Sequence, residues 1–228
     1  MTLDPEASRY VGRVHRAREG DTLLLFDPVT AREATATVLA TTRDGVRCKV
    51  GEVRPSVLRP RRPATLVQAI GKGDKLDAIA RDATELGATR IVATETARGI
   101  VKLGARAEER MGRLRRIATE AARQCGRGDV PELIGPLPWD AALRRAVEPS
   151  GVLLCLWERA TDPVGPLLRA LGPEQPLVLA VGPEGGLEEA EVAAARALGY
   201  AIVSLGPFIL RTETVAAAML GAALVTSA

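Results

Sequence analysis

The chain has 228 residues, 46% hydrophobic and 26% charged, with a formal net charge of +3. Such a chain holds one large domain or, as read here, a small one and a medium one. Three cysteines far apart, no CxxC pair and a single histidine, His15, leave a zinc site short of ligands, and a Ser-His-Asp or Cys-His engine would have to rely on that one imidazole.

Residues 1–10 lack the basic and apolar regions of a signal peptide, so none is expected. Up to residue 60 the chain reads as β-rich. "DTLLLFD" (21–27), "ATATVLATT" (34–42) and "GVRCKVGEV" (45–53) are short, rich in Val, Thr and Leu, and bounded by turn residues. They predict a small barrel or curled sheet. "RPSVLRPRRP" (54–63) is rich in Pro and Arg and predicts a linker, which places a domain boundary at residue 63.

From residue 64 the pattern alternates. "ATLVQAI" predicts a strand. "KLDAIARDATELG" (75–87) predicts a helix with Leu76, Ile79, Ala80, Ala83 and Leu86 on one face and a glycine stop. "TRIVATE" follows as a strand. Residues 107–126 predict a long helix, with Ile117, Ala118, Ala121 and Cys125 facing a core and Arg113, Arg115, Arg116 and Arg123 facing solvent or a polyanion. "GVLLCLW" (151–157), "PLVLAV" (176–181) and "YAIVSL" (200–205) predict further strands. Their apolar runs lack alternation, as in strands covered on both faces. Residues 64–228 are therefore expected to form an α/β domain with a mostly parallel sheet. "VAAAMLGAALV" (215–225) is too short to span a bilayer and predicts a buried helix, whose small residues also suit a dimer contact. No membrane, no metal and reduced thiols in a cytoplasmic protein are the resulting expectations.

Charge is unevenly distributed. Residues 1–63 hold 12 Lys/Arg and 8 Asp/Glu, residues 64–130 hold 13 and 9, and residues 131–228 hold 6 and 11. The first 130 residues are thus a candidate surface for a polyanion, or a solvated arginine-rich face, and the last third is not.

Two loops at predicted strand ends stand out, "VGPEGG" (181–186) and "LGPFILRTET" (205–214). In an open parallel sheet, ligands bind at the carboxyl ends of strands. The first loop has neither GxxxxGK[ST] nor GxGxxG, and the helix after it begins with Glu188, Glu189 and Glu191. An acidic helix start disfavours an anion. The loop suits either a ligand with a cationic centre and a purine, as in S-adenosylmethionine, or a tight turn with no ligand. In the second loop, Arg211 and Glu213 stand at the mouth of the buried helix and need either each other or a substrate.

"GPEGG" followed about twenty residues later by "LGP-x-ILRTET" resembles the C-terminal signature of the SPOUT-class RNA methyltransferases, and specifically the RsmE family of 16S ribosomal RNA uridine-N3 methyltransferases. The likeness continues in "KGDKLDAIARDATELGATRI" (72–91), "RGIVK" (98–102), "EAARQCGRGDVPEL" (120–133) and "RYVGRVHRAREGDTLLLFD" (9–27), in order along nearly the whole chain. The resemblance implies a PUA-like β-barrel at residues 1–63 that helps hold RNA. It implies a SPOUT methyltransferase domain at 64–228 with a C-terminal trefoil knot. It further implies a homodimer formed through that domain, with S-adenosyl-L-methionine as cofactor and 16S rRNA of the small ribosomal subunit as partner. Other activities in the same frame are ribose 2′-O-methylation and non-catalytic RNA binding.

Carried onto this chain, the resemblance implies catalytic roles for Arg211 and Glu213. It implies a cofactor site of Leu154, Leu156, Val181, Gly182, Pro183, Glu184, Gly185, Gly186, Leu205, Gly206, Ile209, Leu210 and Thr212. RNA contacts would come from Arg9, Arg13, Arg16, Lys72, Arg98, Lys102, Gln124 and Arg127. The chain departs from the family's usual pattern at Phe208, where arginine is common, and at Arg81-Asp82, where Gln-Lys is common.

Overall fold

The three β-rich segments at the start of the chain pair as an antiparallel meander in the computed structural model, which describes residues 1–27, 30–99 and 104–227. Strands β1 (Thr22–Asp27), β2 (Arg32–Thr42) and β3 (Gly45–Pro55) form a sheet in the order β1-β2-β3, with irregularities of register near Thr35 and Leu39. Such irregularities bend a strand and increase its twist. Residues alternate in and out along β2 and at the start of β3, so Ala36, Val38, Val46 and Cys48 meet Leu3, Val11 and Ala17 in a small core. Leu3, Val11 and Ala17 come from the helix α1 (Pro5–Arg9) and its flanks; α1 continues into a wider turn at Tyr10–Val14. Strand β3 runs through Arg54 and Pro55, so the irregular linker is shorter than expected.

By contacts the chain forms two units, Met1–Arg59 with Gly126–Asp129, and Pro60–Cys125 with Val130–Ala228. The second is built on six strands: β4 (Ala64–Ala69), β5 (Arg90–Glu95), β6 (Glu132–Pro138), β7 (Val152–Leu156), β8 (Leu177–Val181) and β9 (Ala201–Val203). Their order is β6-β5-β4-β8-β7-β9, and every pairing is parallel. All residues of β4 and β8 are buried, as uninterrupted apolar runs predict.

Alternation along the strands divides the core in two. Leu66, Ile91, Leu154, Leu177 and Leu179 face helices α2 (Lys75–Glu85), α3 (Ala107–Cys125) and α7 (Thr212–Val225). Val67, Val92, Cys155, Val178 and Ala180 face α4 (Trp139–Ala146) and α6 (Glu189–Ala197), and α5 (Gly165–Arg169) is a single short turn. Helix α3 buries Met111, Leu114, Ala118, Ala121 and Ala122, while Cys125 is exposed. The expected core face was therefore rotated by part of a turn.

Strand β4 sits between β5 and β8; on one side the chain steps outward through β5 to β6, and on the other it steps inward from β7 to β8 and then back outward to β9. That reversal opens a crevice at the carboxyl ends of the strands. No helix among the described residues is long and apolar enough to cross a membrane.

Candidate functional site

A cleft of about 560 Å³ lies at the carboxyl ends of β7, β8 and β9, within the usual size range of a small-molecule site. Its walls are the segments that follow these strands, closed on one side by the first turns of α2 and α7.

The glycine loop after β8 keeps its shape because side chains would not fit. A Cβ on Gly182 would come within 2.8 Å of Leu187 Cγ, and Gly186 holds φ at +73° with Glu158 against it. Glu191 ties the start of α6 down: its carboxylate accepts from the Glu188 N–H at 2.9 Å and from the Ala97 N–H at 2.8 Å. Arg98 donates to the Gly185 carbonyl at 3.2 Å and lies 3.7 Å from Glu188, so its guanidinium braces the loop.

A buried polar relay joins this loop to α7. Gln68 is fully buried in β4 and donates from Nε2 to Thr212 Oγ1 at 2.9 Å; Thr212 in turn donates to the Gly182 carbonyl at 2.8 Å. Pairing offsets the cost of burying the Gln68 amide N–H groups and the Thr212 hydroxyl, while Gln68 Oε1 is buried with no hydrogen-bond partner among the described residues.

Two carboxylates, Glu158 and Glu184, share the cleft with two cations, Lys75 and Arg211, while Glu213, on the first turn of α7, does not line it. Glu213 does not pair with Arg211. The Lys75 ammonium lies 3.2 Å from Glu184 and 3.5 Å from Glu213. Hydrogen bonding to Glu184 raises the Lys75 pKa above its ordinary value, with the Glu213 charge adding to it and partial burial opposing it. Burial alone would push the Glu184 carboxyl up. Its backbone hydrogen bonds, including one from the Lys72 N–H at 3.2 Å, and the Lys75 ammonium outweigh burial and hold it low. Arg211 stands at the N-cap of α7, its carbonyl accepting from the Val215 N–H at 2.9 Å, and its side chain, open to the cleft, has no hydrogen bond or ion pair among the described residues.

Of the expected cofactor residues, Leu156, Val181, Gly182, Pro183, Glu184, Gly185, Gly186, Leu205, Gly206, Ile209, Leu210 and Thr212 line the cleft, as does the expected catalytic Arg211; the expected catalytic Glu213 is turned out of the lining and meets Lys75 instead. Leu154 does not. It lies one repeat back along β7, fully buried in the sheet core, and only Leu156 reaches the strand's end. Lys75 and Glu158 also line the cleft, and neither is among the residues expected from the sequence to hold the cofactor.

Of the expected RNA contacts, Arg9, Arg13, Arg16, Lys72 and Gln124 are exposed. Lys102 falls outside the described residues. Arg127 is only 6% exposed, and its guanidinium is engaged with both oxygens of Asp129 at 2.9 Å. It is a buried ion pair of the first unit, not an open cation. On α3, Arg110 and Arg113 grip Asp77 at 3.0 and 2.6 Å, and Arg115 meets Glu108 at 2.9 Å, so part of that basic face is already neutralised.

A family model described as "RNA methyltransferase domain" matches residues 59–224. The ribosomal RNA small subunit methyltransferase E of Mycobacterium bovis is 35% identical over 224 residues, which is 96% of this chain and 84% of the relative. The ribosomal RNA small subunit methyltransferase E of Neisseria gonorrhoeae, solved bound to S-adenosyl methionine, superposes with a TM-score of 0.87 at 28% identity over 97% of this chain and 90% of its own. A methyltransferase from Legionella pneumophila, solved with bound cofactor SAM, gives a TM-score of 0.85 at 29% identity over 99% and 91%. With a family model over more than half of its length and a relative at this identity, the chain belongs to the RNA methyltransferase domain family and, within it, to the ribosomal RNA small subunit methyltransferase E family.

Proposed function

We propose that this protein transfers the methyl group of S-adenosylmethionine to N3 of a uridine in the 16S rRNA of the small ribosomal subunit, acting in the cytoplasm as a homodimer. The observation that carries the reading is the cleft itself, in which a glycine-rich loop bearing Glu184 faces an arginine whose side chain has no partner among the described residues.

The residues present fit the methyl donor. Gly182 and Gly186 let the loop turn tightly against Leu187 and Glu158 along the edge of the cleft, and Leu156, Leu205 and Leu210 offer apolar wall. Glu158 and Glu184 against Lys75 and Arg211 give the cleft no excess of positive charge, which a polyphosphate would need and a sulfonium does not. When bound, the donor supplies an electrophilic methyl group activated by its positive sulfur.

Uridine N3 carries a proton and is a weak nucleophile until that proton leaves, so the chain must take the proton or stabilise the anion. Arg211 is placed to offset negative charge on the base or to hold a phosphate. Glu213, two residues further on and ion-paired with Lys75, would accept the proton.

Residues 1–63 would act as a PUA-like barrel that holds RNA, through Arg9, Arg13 and Arg16. Residues 64–228 would form the SPOUT domain, with its trefoil knot around the cleft. Lys72 and Gln124 are open for RNA, and Phe208, 79% exposed, can stack on a base where an arginine is usual. The half-open stripe Thr214, Ala218, Ala222 and Val225 on α7 is the face offered to the second protomer.

The test uses labelled S-adenosylmethionine and small subunits lacking the modification, with the labelled nucleoside identified after digestion. The expected product is 3-methyluridine. Arg211→Ala should slow single-turnover transfer by about 100-fold. A ribose-methylated product would replace the reaction assignment, and an unchanged rate in Arg211→Ala would remove its role.

A further inference from the structure

We propose that Lys75 is a positioning residue, whose ammonium, shared between Glu184 and Glu213, sets the spacing between the glycine loop and the start of α7 at the mouth of the cleft. The proposal rests on the function proposed above, because it assigns Lys75 to the same site.

Three observations carry it. First, the two carboxylates come from different segments, Glu184 from the loop after β8 that lines the cleft and Glu213 from the first turn of α7, and Lys75 belongs to neither. One side chain therefore joins three separate pieces of backbone. Second, the three side chains are only 26–35% exposed, so water screens them less than a surface pair. Glu213 Oε2 is buried and makes no hydrogen bond, and the cation facing it is Lys75. Without that ammonium the two carboxylates would be left near each other with no cation between them, and their repulsion would push the loop and the helix start apart.

Third, the position is a poor one for a lysine on helical grounds. Lys75 is the first residue of α2, where the helix dipole favours an acid and opposes a cation. The helix gains nothing from a positive charge there, whereas the cleft does. The buried relay from Gln68 through Thr212 to the Gly182 carbonyl joins the same two segments from below. That relay holds the floor of the cleft and Lys75 holds its mouth.

Lys75→Met keeps the bulk and removes the charge, while Lys75→Arg keeps the charge and can reach both carboxylates. Two readouts are taken on the full chain. Hydrogen exchange of segments 181–188 and 205–214 is measured without any ligand. Single-turnover methyl transfer is measured at saturating S-adenosylmethionine, with the donor's Kd taken separately by calorimetry.

In Lys75→Met, exchange in both segments should rise by about tenfold while the sheet strands keep their protection. Transfer at saturation should fall by about 10- to 100-fold, more than the donor's Kd rises. Lys75→Arg should recover most of both. Unchanged exchange in Lys75→Met would overturn the tie. Faster exchange with an unchanged transfer rate, or an equal loss in Lys75→Arg, would overturn the positioning role. If the wild-type protein transferred no methyl group, the proposed function would fail, and the exchange experiment would still decide the tie.

Discussion

At the scale of single residues, the cleft depends on side chains that do two jobs at once. The Thr212 hydroxyl accepts from Gln68 and donates to the Gly182 carbonyl, so it satisfies two buried partners. Thr212→Val preserves shape and leaves both partners unmatched. The expected cost is about 1–3 kcal/mol of stability, read from urea unfolding midpoints. Serine at this position should recover most of it, because it restores the hydroxyl; if serine were as damaging as valine, packing of the methyl group would be the cause instead. Glycine spacing and the Arg-Thr-Glu triplet made this part of the site legible in the sequence. Lys75 was not legible as a site residue, since its partners lie far along the chain and nothing local marks a lysine at a helix start as anything but a surface charge. Leu154 was misplaced for a simpler reason. Strand periodicity puts Leu154 and Leu156 on the same face but does not say which of them reaches the strand's end, and only the end meets the cleft.

At the scale of elements, uninterrupted apolar runs identified β4, β5, β7 and β8, and the 3.6-residue pattern identified α2 and α3. Strand β6 and helix α4 were missed. "ELIGPLP" carries Gly135, Pro136 and Pro138, which read as a loop. Proline is tolerated there because β6 is the edge strand of the sheet, where one side needs no donors. In the first unit the joint after β3 is governed by Glu33. Its carboxylate, almost fully buried, accepts from Arg54 and Ser56 at 3.0 Å and from the Val57 N–H at 3.2 Å. Burial works against the charged form, but these partners outweigh it and bring the pKa below the ordinary 4.5. A carboxyl with a lowered folded-state pKa stabilises the fold above its ordinary value, and that contribution disappears as the pH falls through the lowered one. Acid should therefore loosen residues 53–58, with faster hydrogen exchange appearing below about pH 4.5. Glu33→Gln should show the looser behaviour already at neutral pH and lose the acid dependence. An acid profile identical in wild type and Glu33→Gln would assign the effect to another group.

At the scale of the whole molecule, the sequence places a net positive balance in residues 1–130 and a net negative one in residues 131–228. The cleft draws mainly on the acidic part, and the exposed Arg9, Arg13 and Arg16 belong to the basic part. This division suits a protein that holds a polyanion with one region and a cationic donor with another. The proposed homodimer bears on how the two are combined, and α7 is the element to test. A helix with so apolar a sequence is expected to be covered all round. Yet only Thr212, Ala216, Met219, Leu220 and Ala223 are buried, while Val225 is 73% exposed and Thr214 and Ala218 are open. The uncovered side is made of small residues, which allow two helices to approach closely. Ala218→Arg places a long charged side chain in the middle of that stripe without touching the buried face. Sedimentation at micromolar concentration should give a dimer for the wild type and a monomer for Ala218→Arg, with circular dichroism unchanged. Methyl transfer by the monomer then separates two arrangements. If it falls with dimerisation, the second protomer completes the site; if it persists, the cleft of one chain suffices and the dimer serves RNA binding or stability. A wild-type monomer at these concentrations would remove the dimer from the proposed function and leave the open stripe to another partner.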